Sequence, residues 1–299
     1  MPHQIRLTTI FLCAYGIFCG TAMGGMTSAE IASFQSNKAR AEKGDQNAQN
    51  DLGVNYATAT GVPKDYLKAV IWYRKSAEKG HPEAQHNLGV CYQHGQGVEI
   101  DETKAIYWFQ KASDQGVAIA QYNLGVAYND GKGIEDVALA TSWLRKAADQ
   151  GFAPAQNNMG AYHERGIGVE QDSTKAAIWY ERAAEQGFVV AQYNLGLCYK
   201  YGRGYSKDIN KAVKLFRMAA EHGHPGAQNA LGEYYAQSEA TVKNIIEAYA
   251  LYSLAAPRSE IARENLDAFR KKISKVEIEL GEIRAEELKR IITVKKAGK

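Results

Sequence analysis

Two short stretches carry residue types and spacings that could support chemistry. Ser76 and Lys79 form an S-x-x-K sequence, in which a lysine can activate a serine for acyl transfer. His222 and His224 form an H-x-H pair of metal-ligand type. Neither stretch is accompanied by the rest of a site, because no S-D-N or K-T-G occurs and no second group of ligand residues stands near the histidines. We therefore expect no catalytic residue, metal ion or cofactor.

A third stretch resembles part of a nucleotide-binding loop. Gly131 and Gly133 begin a G-x-G sequence, but a dinucleotide fingerprint needs a third glycine and a preceding strand, and neither is present. The pair therefore predicts a connection between helices.

The composition is typical of a globular protein. Of 299 residues, 45% are hydrophobic and 23% are charged, which disfavours disorder. The net charge of +3 comes from interspersed acids and bases, with no basic cluster before the last dozen residues. A nucleic-acid partner would require such a cluster, so none is expected.

The N-terminal residues have the layout of a secretory signal peptide. Arg6 precedes the apolar run Leu7–Phe18, and small residues follow. This order predicts a signal over residues 1–22, with cleavage after Ala22 or after Ala29; a buried N-terminal helix is the alternative. The run is too short to span a membrane. We expect an exported protein, periplasmic or secreted, in a bacterial envelope, with no membrane span once the signal is removed.

The rest of the chain is organised by a repeat. Glycines recur at intervals of 36, 36, 35, 36 and 36 residues. Each is followed five residues later by a glutamine and nine residues later by another glycine. The three sets are Gly44, Gly80, Gly116, Gly151, Gly187, Gly223; Gln49, Gln85, Gln121, Gln156, Gln192, Gln228; and Gly53, Gly89, Gly125, Gly160, Gly196, Gly232. A fixed period of this length indicates a stacked array of repeats.

Each repeat resolves into two amphipathic helices. In the second repeat, Ala84, Leu88 and Tyr92 share one helical face, and Ala105, Trp108, Phe109 and Ala112 share another. Aspartates at equivalent positions are expected to cap the second helices: Asp65, Asp101, Asp172 and Asp208. Ser76 occupies a position that is alanine in other repeats, which favours a structural role for it.

The glycines inside the first helices predict close packing. Glycine costs about 1 kcal/mol relative to alanine in a helix, so a bulky neighbour is expected to need the space. The candidates are Trp72, Trp108, Trp143, Trp179, Leu215 and Leu251. Cys91 and Cys198 hold the same repeat position three repeats apart, so we expect them to be unpaired packing residues.

This pattern resembles the Sel-one-like repeat, a relative of the tetratricopeptide repeat. The stretch AEQGFVVAQYNLGLCYKYGRGYSKDINKA carries nearly the whole signature, and six units cover Ala41–Pro257. Departures are Ala59 for a loop glycine, His163 for a tyrosine, and the loss of the glycine pair near Ser238–Ala240. The resemblance implies an all-α fold, a right-handed α/α solenoid of about six 36-residue helix-turn-helix repeats with a helical C-terminal cap.

The resemblance also implies a function. It points to a non-enzymatic scaffold or adaptor that binds a protein or peptide on the concave face formed by the first helices. The alternative is a secreted penicillin-binding or β-lactamase-like hydrolase, an activity associated with relatives that carry a cysteine pair in each repeat. This chain lacks those pairs. The oligomeric state is left open.

Candidate binding residues follow from the repeat positions. If Leu88 and Tyr92 pack inward, the sixth, seventh, tenth, thirteenth and fourteenth residues after the repeat glycine face the groove. From these we select His86, Asn87, Tyr122, Asn123, Asn158, Arg165, Tyr193, Asn194 and Tyr201. The asparagine amides suit pairing with a peptide backbone, or they bond neighbouring helices. The tyrosines and the arginine suit an interface, or they form an ordinary solvated surface.

The segments outside the array are expected to cap it. We assign residues 23–40 to an N-terminal capping helix and residues 258–299 to a helical cap ending in a basic, frayed tail. Ser274 and Glu277 form a capping-box pattern ahead of Val276, Leu280 and Ile283. The charged helices are expected to give the array a polar outer surface.

Overall fold

The structure is a computed structural model that describes residues 26–129 and 136–297. The predicted signal peptide and the Gly131–Gly133 pair lie outside the described residues. Within them the chain is helical, without strands, which confirms the predicted all-α repeat fold. The helices are α1 (Ser28–Glu42), α2 (Gln46–Thr58), α3 (Tyr66–Glu78), α4 (Pro82–His94), α5 (Glu102–Asp114), α6 (Ala118–Asn129), α7 (Val137–Asp149), α8 (Ala153–Arg165), α9 (Ser173–Glu185), α10 (Val189–Tyr201), α11 (Ile209–Glu221), α12 (Pro225–Gln237), α13 (Val242–Ala255), α14 (Glu260–Arg270) and α15 (Lys275–Ala297).

The chain divides into two compact units between Ile100 and Asp101. In the first unit, α1 packs on α2, α2 on α3 and α3 on α4. In the second unit, α6 pairs with α7, α8 with α9, α10 with α11 and α12 with α13. We call α2, α4, α6, α8, α10 and α12 the first helices of their repeats, and α3, α5, α7, α9, α11 and α13 the second helices.

The predicted aspartate caps are confirmed. The carboxylates of Asp65, Asp101, Asp172 and Asp208 accept hydrogen bonds from the backbone N–H three residues later. Asp136 caps α7 in the same way. These bonds satisfy N–H groups that have no partner inside the helix, so each second helix begins at a defined residue.

The repeated glutamines hold consecutive repeats together. Five of the six donate from Nε2 to a backbone carbonyl eight residues earlier, at the end of the preceding helix: Gln49 to Ala41, Gln85 to Ala77, Gln121 to Ser113, Gln156 to Ala148 and Gln228 to Ala220, at 3.1–3.3 Å. A buried carbonyl at a helix end needs such a partner. The glutamine is therefore a structural residue of the repeat.

The packing partner predicted for the helix glycines is wrong by one residue. A Cβ on Gly160 would lie 2.6 Å from the Tyr180 ring, and one on Gly196 would lie 2.6 Å from the Phe216 ring. The corresponding partners elsewhere are Tyr73 for Gly53, Leu144 for Gly125 and Tyr252 for Gly232. The residue that needs the space is thus the one after the tryptophan or leucine we had expected.

The tryptophans pack elsewhere in the second helices. Trp179 belongs to the cluster around Leu144 and Met159. Its outer ring face is covered by the Arg182 guanidinium at 4.7 Å, and Lys146 lies 3.7 Å from the Trp143 ring centroid. Such cation–π contacts stabilise aromatic rings, and both tryptophans are buried, at 7% exposed for Trp143 and 8% for Trp179.

Four of the first helices, α2, α4, α8 and α10, end at a left-handed residue. Gly95, Gly166 and Gly202 take φ of 67°, 71° and 70° at these ends. Ala59 takes the same conformation at the end of α2, with φ of 61°. Alanine is strained there because its Cβ crowds the neighbouring carbonyl.

The C-terminal cap contains the helices α14 and α15. The Ser274–Glu277 capping box is confirmed, with reciprocal bonds of 2.7 and 3.3 Å. However, Val276 and Ile283 are exposed, and α15 packs on α13 through its opposite face. The first residues of the basic tail continue α15 as far as Ala297.

Both cysteines of the repeat array are free and buried, as predicted. Burial raises the pKa of the Cys91 thiol to about 12 and that of Cys198 to about 11. They are therefore neutral packing residues.

Candidate partner-binding face

Two of the four predicted asparagines form bonds between first helices. Asn194 Nδ2 on α10 donates to Asn157 Oδ1 on α8 at 2.9 Å, and Asn87 on α4 donates to Asn50 on α2 at 3.1 Å. In each case the donor is the seventh residue after the repeat glycine of one repeat. The acceptor is the sixth residue after the repeat glycine of the repeat before. This arrangement matches the structural alternative for these two amides.

Two of the three predicted tyrosines, Tyr122 and Tyr193, lie half-buried against the next repeat. The Tyr122 ring meets Phe152 edge-on with centroids 5.3 Å apart. The Tyr193 ring lies 4.6 Å from the His224 ring and 5.9 Å from Phe216. Burial also raises the pKa of Tyr193. Each tyrosine thus replaces the asparagine acceptor of other repeats with a ring that packs on the start of the following first helix.

Two further predicted residues lie near solvent at the C-terminal ends of two first helices. Arg165 ends α8 and Tyr201 ends α10, and both side chains are exposed. The Tyr201 ring, 54% exposed, has Arg203 at 5.0 Å and Lys200 at 5.4 Å from its centroid. These residues place an aromatic ring and cationic groups together on a solvated edge.

Two ion pairs link the first helices beside this edge. Arg203 contacts Glu164 of α8 at 3.3 Å, and Lys200 of α10 contacts Glu233 of α12 at 2.9 Å. Glu164 also accepts the Tyr180 hydroxyl at 2.9 Å. Burial lowers the pKa of Lys200, but the hydrogen bond to Glu233, the charge of Glu233 and the contact with Tyr201 together outweigh it, so the pKa is raised. Lys200 therefore remains charged.

We call this surface the α8–α12 face and define it by Asn158, Glu164, Arg165, Asn194, Lys200, Tyr201, Arg203 and Glu233. Asn158 is half-buried on α8, and its side chain makes no hydrogen bond within the part of the chain that the structure describes. Asn123 lies half-buried on α6. His86 and Asn87 belong to the first unit, where burial lowers the pKa of His86 to about 4.

Four residues of the face were not selected from the sequence. Glu164 and Lys200 are thirteenth residues of their repeats, and Glu233 is a tenth residue. These are positions already predicted to face the groove, so their charge was the signal that could have found them. Arg203 lies in a connection, and its position beside Glu164 follows only from the three-dimensional structure.

The serine, lysine and histidines that could support chemistry make contacts with the backbone instead. Ser76 Oγ donates to the Gln46 carbonyl at 2.8 Å and Lys79 Nζ donates to the Gly44 carbonyl at 2.6 Å. His224 Nδ1 accepts the Ala227 N–H at 3.2 Å as a helix cap, and His222 Nδ1 lies 2.9 Å from the Met218 carbonyl. Over the described ranges, no group of three or more His, Cys, Asp or Glu residues is placed to hold a metal ion.

Among the helices described, none combines the length and apolar character needed to cross a membrane.

Comparison with known proteins identifies the repeat. The model of the Sel1 repeat matches residues 46–81, 82–117, 118–152, 153–188, 189–224 and 225–256 without a gap. Each match begins at or next to the start of a first helix. No curated protein matches the chain.

Two solved structures are similar in both sequence and fold. One is c5321, a protective antigen present in uropathogenic Escherichia coli strains that displays an SLR fold. It is 28% identical, with a TM-score of 0.61, over 88% of this chain and 72% of that chain. The other is a Sel1 repeat protein from Oxalobacter formigenes. It is 28% identical, with a TM-score of 0.67, over 77% of this chain and 97% of that chain.

Proposed function

This chain belongs to the Sel1 repeat family, and on that premise we propose that it is a scaffold that binds a partner protein or peptide on the α8–α12 face. Repeat arrays present extended surfaces suited to macromolecular partners. The fold alone does not specify a function, so the proposal depends on the residues of this face.

The observation that carries the proposal is the exposed pair Arg165 and Tyr201. They occupy the same position in consecutive repeats, at the ends of α8 and α10. Neither is among the buried residues of the core. Arginine and tyrosine are the side chains that most often anchor protein interfaces. The ion pairs around them would hold this edge in one arrangement, which lowers the entropy lost on binding.

The proposal is tested by capture followed by affinity measurement. The mature chain is used to isolate its partner from the native source, and the dissociation constant of the purified pair is measured by calorimetry. Arg165→Ala with Tyr201→Ala should weaken binding more than tenfold, because two anchors at about 1–2 kcal/mol each exceed the 1.4 kcal/mol of a tenfold change.

The matched control is Arg145→Ala with Tyr107→Ala. Tyr107 is 53% exposed on α5, and Arg145 is exposed on α7, so the control removes the same side chains from second helices. It should leave the dissociation constant unchanged. Equal affinity for the wild type and the Arg165/Tyr201 double variant, or an equal loss in the control, would refute binding at this face.

The hydrolase alternative depends on Ser76 and Lys79. Their hydrogen bonds to different backbone carbonyls disfavour a serine nucleophile activated by that lysine. We expect no β-lactam hydrolysis above background by the purified chain. Hydrolysis that is abolished by Ser76→Ala would establish the alternative.

We also propose export, on the basis of Arg6, the apolar run Leu7–Phe18 and the small residues after it. Intact mass of the protein recovered from producing cells should show a start between Met23 and Glu30. A recovered chain that retains residues 1–18 would contradict this proposal.

A further inference from the structure

The last helix, α15, carries a row of exposed apolar side chains. It packs on the second unit through one face, where Ala285 is buried, the Tyr249 ring lies against Gly281 and Leu288 joins the cluster around Leu251. The exposed row contains Val276 (62% exposed), Leu280 (39%), Ile283 (59%), Ile291 (45%) and Val294 (70%). At 100° per residue these side chains fall on a single stripe opposite the packed face.

The stripe has the spacing of a coiled-coil seam. Val276, Leu280, Ile283 and Val294, counted together with residues 287 and 290 between them, alternate between steps of four and three residues, which is the heptad rule; Ile291 lies beside this series. Glu287 and Arg290 occupy the two central positions, and both are exposed. Apolar rows of this kind on a surface helix mark contacts with another chain.

Charge along α15 is divided between its two halves. Residues 275–287 contain five acids and two bases, whereas residues 288–297 contain four bases and no acid. The helix dipole favours such a division only in the first and last turns. It does not account for Glu282, Glu286 and Glu287 in the middle of a 23-residue helix.

From these observations we propose that α15 pairs with α15 of a second copy of this chain in an antiparallel arrangement. Antiparallel pairing places each acidic half against the partner's basic half. With the two-fold axis between residues 288 and 289, Glu287 faces Arg290 of the partner subunit and Ile283 faces Val294 of the partner subunit. The same two contacts recur on the other side of the axis, as an isologous interface requires.

The side chains of Arg290 and Glu287 can both reach a partner in this register. Arg290 forms no ion pair with any side chain in the described part of the chain. Glu287 contacts Arg284 at 3.0 Å, but Arg284 also pairs with Glu247 at 2.8 Å, so Glu287 can turn toward a partner. The seam is short compared with specific interfaces that bury about 1,200 Å² or more, so we expect a reversible, concentration-dependent dimer. This surface is separate from the α8–α12 face.

Sedimentation equilibrium of the mature chain over a concentration series tests the pairing. Wild type should show a monomer–dimer equilibrium. Glu287→Arg should place two arginines together and Arg290→Glu two glutamates, and each single variant should raise the dimer dissociation constant at least tenfold. An equimolar mixture of the two variants should dimerise again, because in the mixed pair both contacts join opposite charges.

Controls separate this effect from a change in net charge or folding. Glu264→Arg, at an exposed residue of α14, should leave the dimer unaffected. Ile283→Ser should abolish dimerisation, whereas Ile261→Ser, at a residue 64% exposed on α14, should not. A wild type that stays monomeric at its highest soluble concentration, or a variant mixture that fails to recover association, would overturn the proposal. A failed dimer would leave partner capture by Arg165 and Tyr201 unaffected.

Discussion

Replacing Phe216 should show how much the packing between the two helices of a repeat contributes to stability. Phe216 is 2% exposed, and a Cβ added to Gly196 would lie 2.6 Å from its Cε1 and 2.8 Å from its Cδ1. Phe216→Ala is expected to lower the free energy of unfolding by about 3–5 kcal/mol, since it removes a buried ring from a packed site. Leu215→Ala is the matched control. It should cost less, because Leu215 is only partly buried.

The effect of Gly196→Ala should change sign with the residue at 216. In the wild type the added methyl overpacks the ring, at a cost of about 1–3 kcal/mol, and this outweighs or cancels the gain of about 1 kcal/mol in helix propensity. In the Phe216→Ala background the ring is absent, so Gly196→Ala should stabilise by about 1 kcal/mol.

Urea unfolding followed by circular dichroism measures all four members of this cycle, and hydrogen exchange locates the effect. The loss should appear first in α10 and α11, because a repeat array unfolds locally. The reasoning would be refuted if Leu215→Ala cost more than Phe216→Ala, or if Gly196→Ala had the same effect in both backgrounds.

Three further predictions concern a helix end, a helix cap and the two buried cysteines. Ala59→Gly should raise the free energy of unfolding by about 0.5–1 kcal/mol in urea titrations, because the left-handed conformation at Ala59 strains alanine; a lower value would contradict this. Hydrogen bonding from the Lys175 N–H lowers the pKa of Asp172, so the stability contributed by this cap is complete above the unfolded pKa of about 3.9 and is lost as pH falls through the lower folded value. Asp172→Asn should keep the cap and flatten that acid dependence in thermal melts, and an unchanged slope would refute the assignment. Cys91 and Cys198 should resist a thiol reagent at neutral pH in the folded chain, since burial raises both pKa values, and should react once the chain is denatured.

The repeat architecture was predictable because its signals are local. The 36-residue spacing of glycines and the aspartates before the second helices report turn and cap geometry within a few residues. The departure at Ala59 was also visible, and the structure gives it a left-handed conformation. These features depend on one stretch of chain at a time.

Contacts between helices were less predictable. Trp179 and Tyr180 both lie on the inward side of α9, 8% and 2% exposed, and helical periodicity alone cannot decide which of two adjacent residues lies over Gly160. In α15, the stripe through Val276 and Ile283 has larger apolar residues than the packed face that contains Gly281 and Ala285. The sequence pattern alone therefore does not show which face of α15 packs on the array.

The candidate site was predictable in position more than in role. The sequence selected the face of the first helices, but the role of Asn194 depended on the residue 37 positions earlier, Asn157. A signal existed, because asparagine at the sixth position of one repeat is followed by asparagine at the seventh position of the next in both bonded pairs. Arg165 and Tyr201 remain candidates for binding because, over the residues that the structure describes, neither side chain makes a hydrogen bond of this kind to a neighbouring first helix.

The most direct test of the scaffold account is hydrogen–deuterium exchange of the mature chain with and without its captured partner. The account predicts protection of the C-terminal turns of α8 and α10 and of the connection that carries Arg203, with unchanged exchange in the second helices α7, α9 and α11. Protection confined to those second helices, with none at the ends of α8 and α10, would contradict it.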